Sequence, residues 1–158
     1  FACKSPDKEI FSFEKLSCDY YENPVGIENP HPSFSWIVEA NGDDQSQSAF
    51  HILVASSPDK LNENDADIWN SGKVNSNQSA FVDYEGSRLL PMKRYWWKVK
   101  VWSQDGHSSE WSAKQFFEMG LMQEENWQNA EWIALTSDQR ESPYKFREMQ
   151  TERMEQKK

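Results

Sequence analysis

The stretch LLPMKRYWWKVKVW, Leu89 to Trp102, followed by SQDGHSSEWS, Ser103 to Ser112, decides the fold of this chain. Tyr95, Trp97, Val99 and Val101 alternate with Trp96, Lys98, Lys100 and Trp102. Period-two alternation of aromatic and β-branched residues marks a strand buried on one face. It is entered from a turn and left through a loop containing Gly106. The segment carries no nucleophile–base pair and no metal-ligand spacing. It therefore points to a structural or binding module rather than a catalytic centre.

Working outward, the same alternation recurs on both sides. Lys15–Tyr21 reads as a first strand, with Leu16 and Cys18 on one side. Ser33–Glu39 follows, with Phe34, Trp36 and Val38 sharing a face and Trp36 at the expected core centre. Ser48–Ser56 alternates Phe50, Ile52 and Val54 with His51 and Leu53. Short strands are expected within Asn70–Val74 and Ser79–Tyr84. Ser112–Met119 is the last, with Ala113, Gln115, Phe117 and Met119 on one face and Phe116 on the other. Between them, Glu22–Pro32 holds three prolines and a glycine and reads as irregular loop. Asn41–Gln47 reads as a turn. Pro58–Trp69 has room for one helical turn capped by Ser57 or Asp59. About seven short strands at this spacing predict an all-β, immunoglobulin-like sandwich. Residues 1–14 read as an N-terminal linker and 15–120 as the sandwich. Residues 121–158 read as a connector and the start of a further domain.

Composition agrees with such a core. Only 37% of residues are hydrophobic, but 14% are aromatic, including eight Trp and nine Phe, so few large side chains supply the buried area. Most rings are expected inside, with Trp36, Tyr95 and Trp97 at the structural centre. The net charge of −9 repels a phosphate backbone. The local basic residues are Lys93, Arg94, Lys98, Lys100 and the C-terminal run. Lysines interleaved with indoles can bind single-stranded nucleic acid. On so acidic a chain they read instead as a solvated sheet face with lysine stems over the rings, and no nucleic-acid partner is expected.

The two cysteines, Cys3 and Cys18, form no CxxC or Cys/His cluster, so neither a metal site nor a cofactor is expected. A Cys3–Cys18 disulfide is open. FACKSPDKE places the small Ala2 before Cys3 and a polar stretch after it, as at the end of a bacterial lipoprotein signal. Cys3 is thus either a lipidation site or an ordinary N-terminal cysteine. No stretch approaches the ~18 apolar residues of a membrane span.

The carboxylate pairs Asp43/Asp44, Asp65/Asp67 and Glu124/Glu125 lie in turn-like sequence, where solvated loop charge is the expectation. Inverting glycoside hydrolysis would need two carboxyls roughly 6.5–9.5 Å apart around a sugar cleft. His31, His51 and His107 are scattered, each without a nearby nucleophile and acid. Trp96, Trp102 and Trp111 are the residues able to stack on sugar rings. Trp96 and Trp102 lie ~20 Å apart along an extended strand, which suits separate contacts better than one monosaccharide.

The spacing of Leu89, Tyr95, Val99, Val101, Gly106 and Ser112 resembles the F-strand and F–G loop of a fibronectin type III domain. There Tyr95 would be the tyrosine-corner residue and Trp36 the tryptophan beneath the sheet. A closer resemblance spans about Leu16 to Ile133. CDYYENPVGIENPHPSFSW, QSAFHILVASS, DIWNSGKV and YWWKVKVWSQDGHSSEWS, then FFEMGL and WQNAEWIA, look like the N-terminal module of bacterial α-L-rhamnosidases of glycoside hydrolase family 78. In that family the catalytic carboxylates belong to a downstream (α/α)6 barrel. The resemblance therefore carries no catalytic residue onto this chain. It implies a non-catalytic accessory domain of a secreted, periplasmic or outer-surface enzyme. Its partners would be downstream domains of the same polypeptide, reached through Trp127, Trp132 and Ile133, and rhamnose-containing glycans. A membrane would be met only through a lipid on Cys3. A stand-alone carbohydrate-binding or adhesion module is the alternative.

Overall fold

The computed structural model describes residues 11–40, 46–127 and 130. Among the described residues eight strands run in the order β1 Phe11–Cys18, β2 Val25–Ile27, β3 Ser33–Ala40, β4 Gln47–Ala55, β5 Trp69–Asn70, β6 Val82–Asp83, β7 Arg94–Ser103 and β8 Gln115–Met119, with short 3-10 turns at Pro58–Lys60 and Glu124–Trp127. They form a three-stranded sheet, β1-β3-β6, and a five-stranded sheet, β2-β8-β7-β4-β5. Contacts divide the chain into Phe1–Asn126 and Trp127–Lys158. The strands all belong to the first unit.

The core sits between the sheets. Trp97, Val99 and Val101 from β7 and Ile52 and Val54 from β4 meet Phe34 and Trp36 from β3, all of them buried. The Phe34 ring lies 4.5 Å from Trp97 and 5.8 Å from Phe117, centroid to centroid. Trp36 meets Phe50 edge-on at 5.3 Å. Aromatic pairs at these distances add about 0.5–1.5 kcal/mol each beyond their buried area. Trp36 also carries a polar atom into the core, and Gln47 satisfies it: indole Nε1 donates to Gln47 Oε1 at 2.9 Å. Gln47 Nε2 in turn donates to the carbonyls of Gln78 at 2.8 Å and Ser76 at 3.3 Å. One buried amide thus ties β3 to the strand-poor segment before β6.

Tyr95 behaves as a tyrosine corner. Its ring is buried against Phe117, and its hydroxyl accepts a 2.9 Å bond from the Leu90 backbone N–H.

The structure differs from the sequence expectation in several elements. β1 begins at Phe11, not Lys15, so residues 11–14 are strand rather than linker. The reason is Phe11, whose ring is 1% exposed. The strand stops at Cys18, not Tyr21, because Asp19 and Tyr20 turn through positive φ (43° and 75°). Asp19 holds that turn by accepting the Ser33 N–H at 2.8 Å. The Glu22–Pro32 loop contains an eighth strand, β2, parallel to β8. Its carbonyl partners tolerate the flanking proline: Glu118 N–H donates to Pro24 O and Gly120 N–H to Ile27 O. Gly26 at φ 84° supplies the left-handed step between them. Of Asn70–Val74 only Asn70 is in a strand, with Val74 forming an isolated bridge to Phe50, and of Ser79–Tyr84 only Val82–Asp83. Pro58–Lys60 forms a 3-10 turn after Ser57, with no side-chain cap bond. Cys18 is a free, fully buried thiol. Cys3, the other member of the open disulfide pairing, lies outside the described residues. The turn expected over Asn41–Gln47 falls largely outside them as well.

A tryptophan and lysine face as candidate functional site

The outward face of β7 presents Trp96, Lys98, Lys100 and Trp102, and each is half-buried. On its neighbour β4, His51 and Leu53 pair with Lys100 and Lys98 on the same face. Both are buried, at 8% and 0% exposure. The β4–β5 connection folds over them. Leu61 is buried there with Leu53 and Ala55, and Ala66, Trp96 and Trp111 pack on this small second cluster. The connection is locked by its own polar bonds. Asp67 accepts from the Ser56 N–H at 2.9 Å, the Ser56 hydroxyl at 2.6 Å and Lys60 Nζ at 2.7 Å. Burial opposes ionisation of Asp67. The bonds from Lys60 and Ser56 outweigh it and hold the carboxyl well below the usual carboxylate range. Asn62 Nδ2 donates to Asp65 at 2.8 Å. Asp65 and Asp67 are therefore engaged in building this cover, not paired across a cleft. Asp43 and Asp44 lie outside the described residues, as does the side chain of Glu124.

Trp111 reaches the face through two serines. β8 pairs regularly with β7 only from Arg94 to Trp97. Beyond that, Ser112 exchanges two bonds with Val99: its N–H donates to Val99 O at 2.8 Å and its hydroxyl accepts Val99 N–H at 3.0 Å. Ser109 repeats the arrangement with Val101, at 2.8 and 3.1 Å. Hydroxyl oxygens thus replace the missing strand carbonyls. Strand rise no longer fixes the chain between the two serines, and Trp111 lies over the outward face of β7.

There Trp111 fills the gap between the two strand tryptophans. His51 packs against both Trp111 (5.1 Å between centroids) and Trp102 (6.5 Å, nearly parallel at 19°). His51 Nε2 lies 2.6 Å from Asn70 Oδ1. Asn70 Nδ2 donates to Glu63 O, and Asn70 Oδ1 also accepts Gly72 N–H. Oδ1 is thereby the acceptor, and Nε2 carries the proton. The lysines lie over the rings. Lys98 Nζ is 4.6 Å from the Trp111 centroid, Lys73 Nζ 4.8 Å from Trp102, and Lys100 Nζ 5.6 Å from Trp102. Burial and the like charges of Lys114 and Lys100 pull the Lys98 ammonium below the ordinary lysine range, against the opposing pull of Glu63.

The three proposed stacking residues are therefore brought onto one face, with ammonium groups over the rings of Trp102 and Trp111. Trp36, Tyr95 and Trp97 lie in the core. The sequence reading missed His51 and Lys73 as members of the face. Lys73 sits in the SGKV turn, and no periodicity links it to β7. Among the described residues no group of three or more His, Cys, Asp or Glu side chains is placed to hold a metal ion. No helix among them is long and apolar enough to cross a membrane.

A second exposed surface lies at one end of the sandwich. The start of β3, the start of β7 and the end of β8 meet there around Phe34, Tyr95 and Phe117. The connections at this end expose Tyr20, Tyr21, Val25, Leu90 and Met92. Met92 is held at φ 57°, with its N–H on the carbonyls of Met119 and Gly120, where the chain leaves β8.

Comparison with known proteins places this architecture. The chain is 52% identical over 158 residues to an α-L-rhamnosidase of Formosa agariphila, covering 99% of this chain and 17% of that one. It superposes on the crystal structure of Streptomyces avermitilis α-L-rhamnosidase complexed with L-rhamnose with a TM-score of 0.77, at 39% identity over 84% of this chain and 13% of that one. The α-L-rhamnosidase of Dictyoglumus thermophilum gives a TM-score of 0.76, at 38% identity over 85% of this chain and 15% of that one. This chain thus spans less than a fifth of the length of each. The family model described as Rha78A-like, N-terminal immunoglobulin domain matches residues 13–123. A two-sheet sandwich with a tyrosine corner, matching that model across both sheets, belongs to the Rha78A-like N-terminal immunoglobulin domain family.

Proposed function

We propose that this chain is a non-catalytic accessory domain of an α-L-rhamnosidase, acting on rhamnose-containing glycans through a catalytic domain elsewhere in the polypeptide. One observation carries the reading: the chain aligns over nearly its whole length with 17% of an α-L-rhamnosidase. The apolar end at Tyr20, Val25, Leu90 and Met92 supports a positioning role. Met92 lies where the chain leaves β8, its N–H on the carbonyls of Met119 and Gly120. Exposed apolar side chains, two of them (Tyr20 and Met92) on positive-φ backbone, are surface that a neighbour covers with gain. Trp127 is 52% exposed; Trp132 and Ile133 lie outside the described residues.

The test is an assay on an aryl α-L-rhamnoside of the isolated 158-residue chain beside the full product of its gene. The full product is expected to turn over the substrate and the isolated chain to give the buffer rate. Hydrolysis by the isolated chain, or none by the full product, would refute the proposal. A location outside the cytoplasm, with Cys3 lipidated, is the companion proposal, supported by Ala2-Cys3 and the polar residues after it. Labelled palmitate incorporated into the wild type but not into Cys3→Ser checks it. Stand-alone carbohydrate binding is favoured only by the tryptophan and lysine face.

A further inference from the structure

Among the described residues, the lysines on the outward face of the five-stranded sheet take part in no ion pair. The ion pairs among the described residues are Lys60–Asp67 and Arg94–Glu118. Neither uses Lys73, Lys98 or Lys100. These three ammonium groups instead crowd over two indoles, on a chain whose net charge is −9. The crowding is unfavourable on balance, since burial and the like charges of Lys114 and Lys100 destabilise the ammonium of Lys98 by more than Glu63 offsets. Dispersing these lysines elsewhere on the surface would relieve it. The arrangement makes sense if an anion completes it.

We propose that Lys73, Lys98 and Lys100, with Trp102 and Trp111, form a binding site for an acidic glycan carrying sulfate ester or carboxylate groups. Lys98 and Lys100 stand two residues apart on one strand face, so their stems rise ~7 Å from each other. Lys73 approaches Trp102 from the turn after β5. An extended chain bearing an anionic group every sugar or two meets such a row of cations in register. The indoles hold the ammonium heads by cation–π attraction, and His51 holds the indoles. Less side-chain freedom is lost on binding than from loose surface lysines. The half-buried rings also offer apolar edges to sugar C–H groups. A nucleic acid fits less well. Its backbone brings one charge per ~1.7 Å of duplex against a strongly acidic protein, and both indole faces nearest the cations are already covered. The choice of a glycan rests on the rhamnosidase reading, but the site does not require hydrolysis, so the two fail separately.

The test uses the purified 158-residue chain in affinity gels and in tryptophan fluorescence titrations. The probes are dextran sulfate, polygalacturonate, neutral dextran and single-stranded oligo(dT). Retardation by dextran sulfate, polygalacturonate or both, weakening as salt rises, is expected, with none by dextran. Dextran sulfate alone would identify sulfate as the ligand group, and polygalacturonate alone carboxylate. Lys98→Gln/Lys100→Gln is expected to weaken binding at least fivefold while keeping the wild-type urea midpoint. Lys157→Gln/Lys158→Gln is expected to leave it unchanged. The proposal is overturned if neither polyanion binds better than dextran, if Lys98→Gln/Lys100→Gln binds as the wild type does, or if oligo(dT) binds more tightly than both polyanions.

Discussion

Replacing Tyr95 by phenylalanine removes one oxygen from the domain and nothing else. The ring is 4% exposed and keeps its contact with Phe117. The hydroxyl is the acceptor for the Leu90 N–H, which the bond holds at 2.9 Å. A buried donor stranded without its partner costs about 1–3 kcal/mol. Leu90 lies near the surface, with its side chain half exposed, so water reaches the amide in part and the lower half of that range applies. A loss of about 1.5 kcal/mol follows. With a urea m-value of about 1.5 kcal/mol/M for a domain of this size, the unfolding midpoint should fall by about 1 M at unchanged m. Fluorescence is a direct probe, because Trp97 follows Tyr95 into the core. A fall of less than about 0.3 M would refute the reasoning. It would mean that the Leu90 amide is satisfied without the hydroxyl and that the corner is decoration on a turn already fixed by Met92.

Three further outcomes follow from the structure. Asp67 ionises more readily folded than unfolded, against an ordinary value of 3.8. Its contribution to stability is therefore full above that pH and is lost as pH falls below it. The stability gap between wild type and Asp67→Asn should narrow as acid is added, measured by urea midpoints at neutral pH and in acid; a gap that does not change with pH contradicts the assigned bonds. Burial, aided by the charge of Asp19, pushes the Cys18 thiol far above the ordinary range. Peptide mapping after iodoacetamide treatment should find Cys18 unmodified in native protein and modified in urea, and native modification would contradict its burial. A Cβ at Gly86 would stand 2.5 Å from both Trp69 Cβ and Tyr84 Oη. Gly86→Ala should thus cost about 1–3 kcal/mol, read as a lowered urea midpoint, and an unchanged midpoint would show that the turn yields freely.

The alternation from Tyr95 to Trp102 determined the fold class by itself. A period of two admits only a strand, and each side chain's face follows from its parity. The same rule placed Phe34, Trp36 and Trp97 inside, because burial of such large rings dominates any local preference. The identity of the family was legible for a related reason: the turn motifs NPVGI and WNSGKV recur with the strands they join. Strand ends were less legible. Phe11 is in β1 because its ring finds the core, and β2 exists because β8 offers carbonyl and amide partners to a loop that local rules forbid. Tertiary structure alone decided the tryptophan and lysine face. Its members come from β4, β7, the β5 turn and the Ser109–Ser112 segment. Nothing in their spacing puts Lys73 above Trp102 or His51 between two indoles. That juxtaposition depends on the β4–β5 connection folding over Leu53 and on two serine hydroxyls standing in for backbone carbonyls. Both depend on contacts eight or more residues apart across a turn, beyond the period-two spacing that a sequence pattern records.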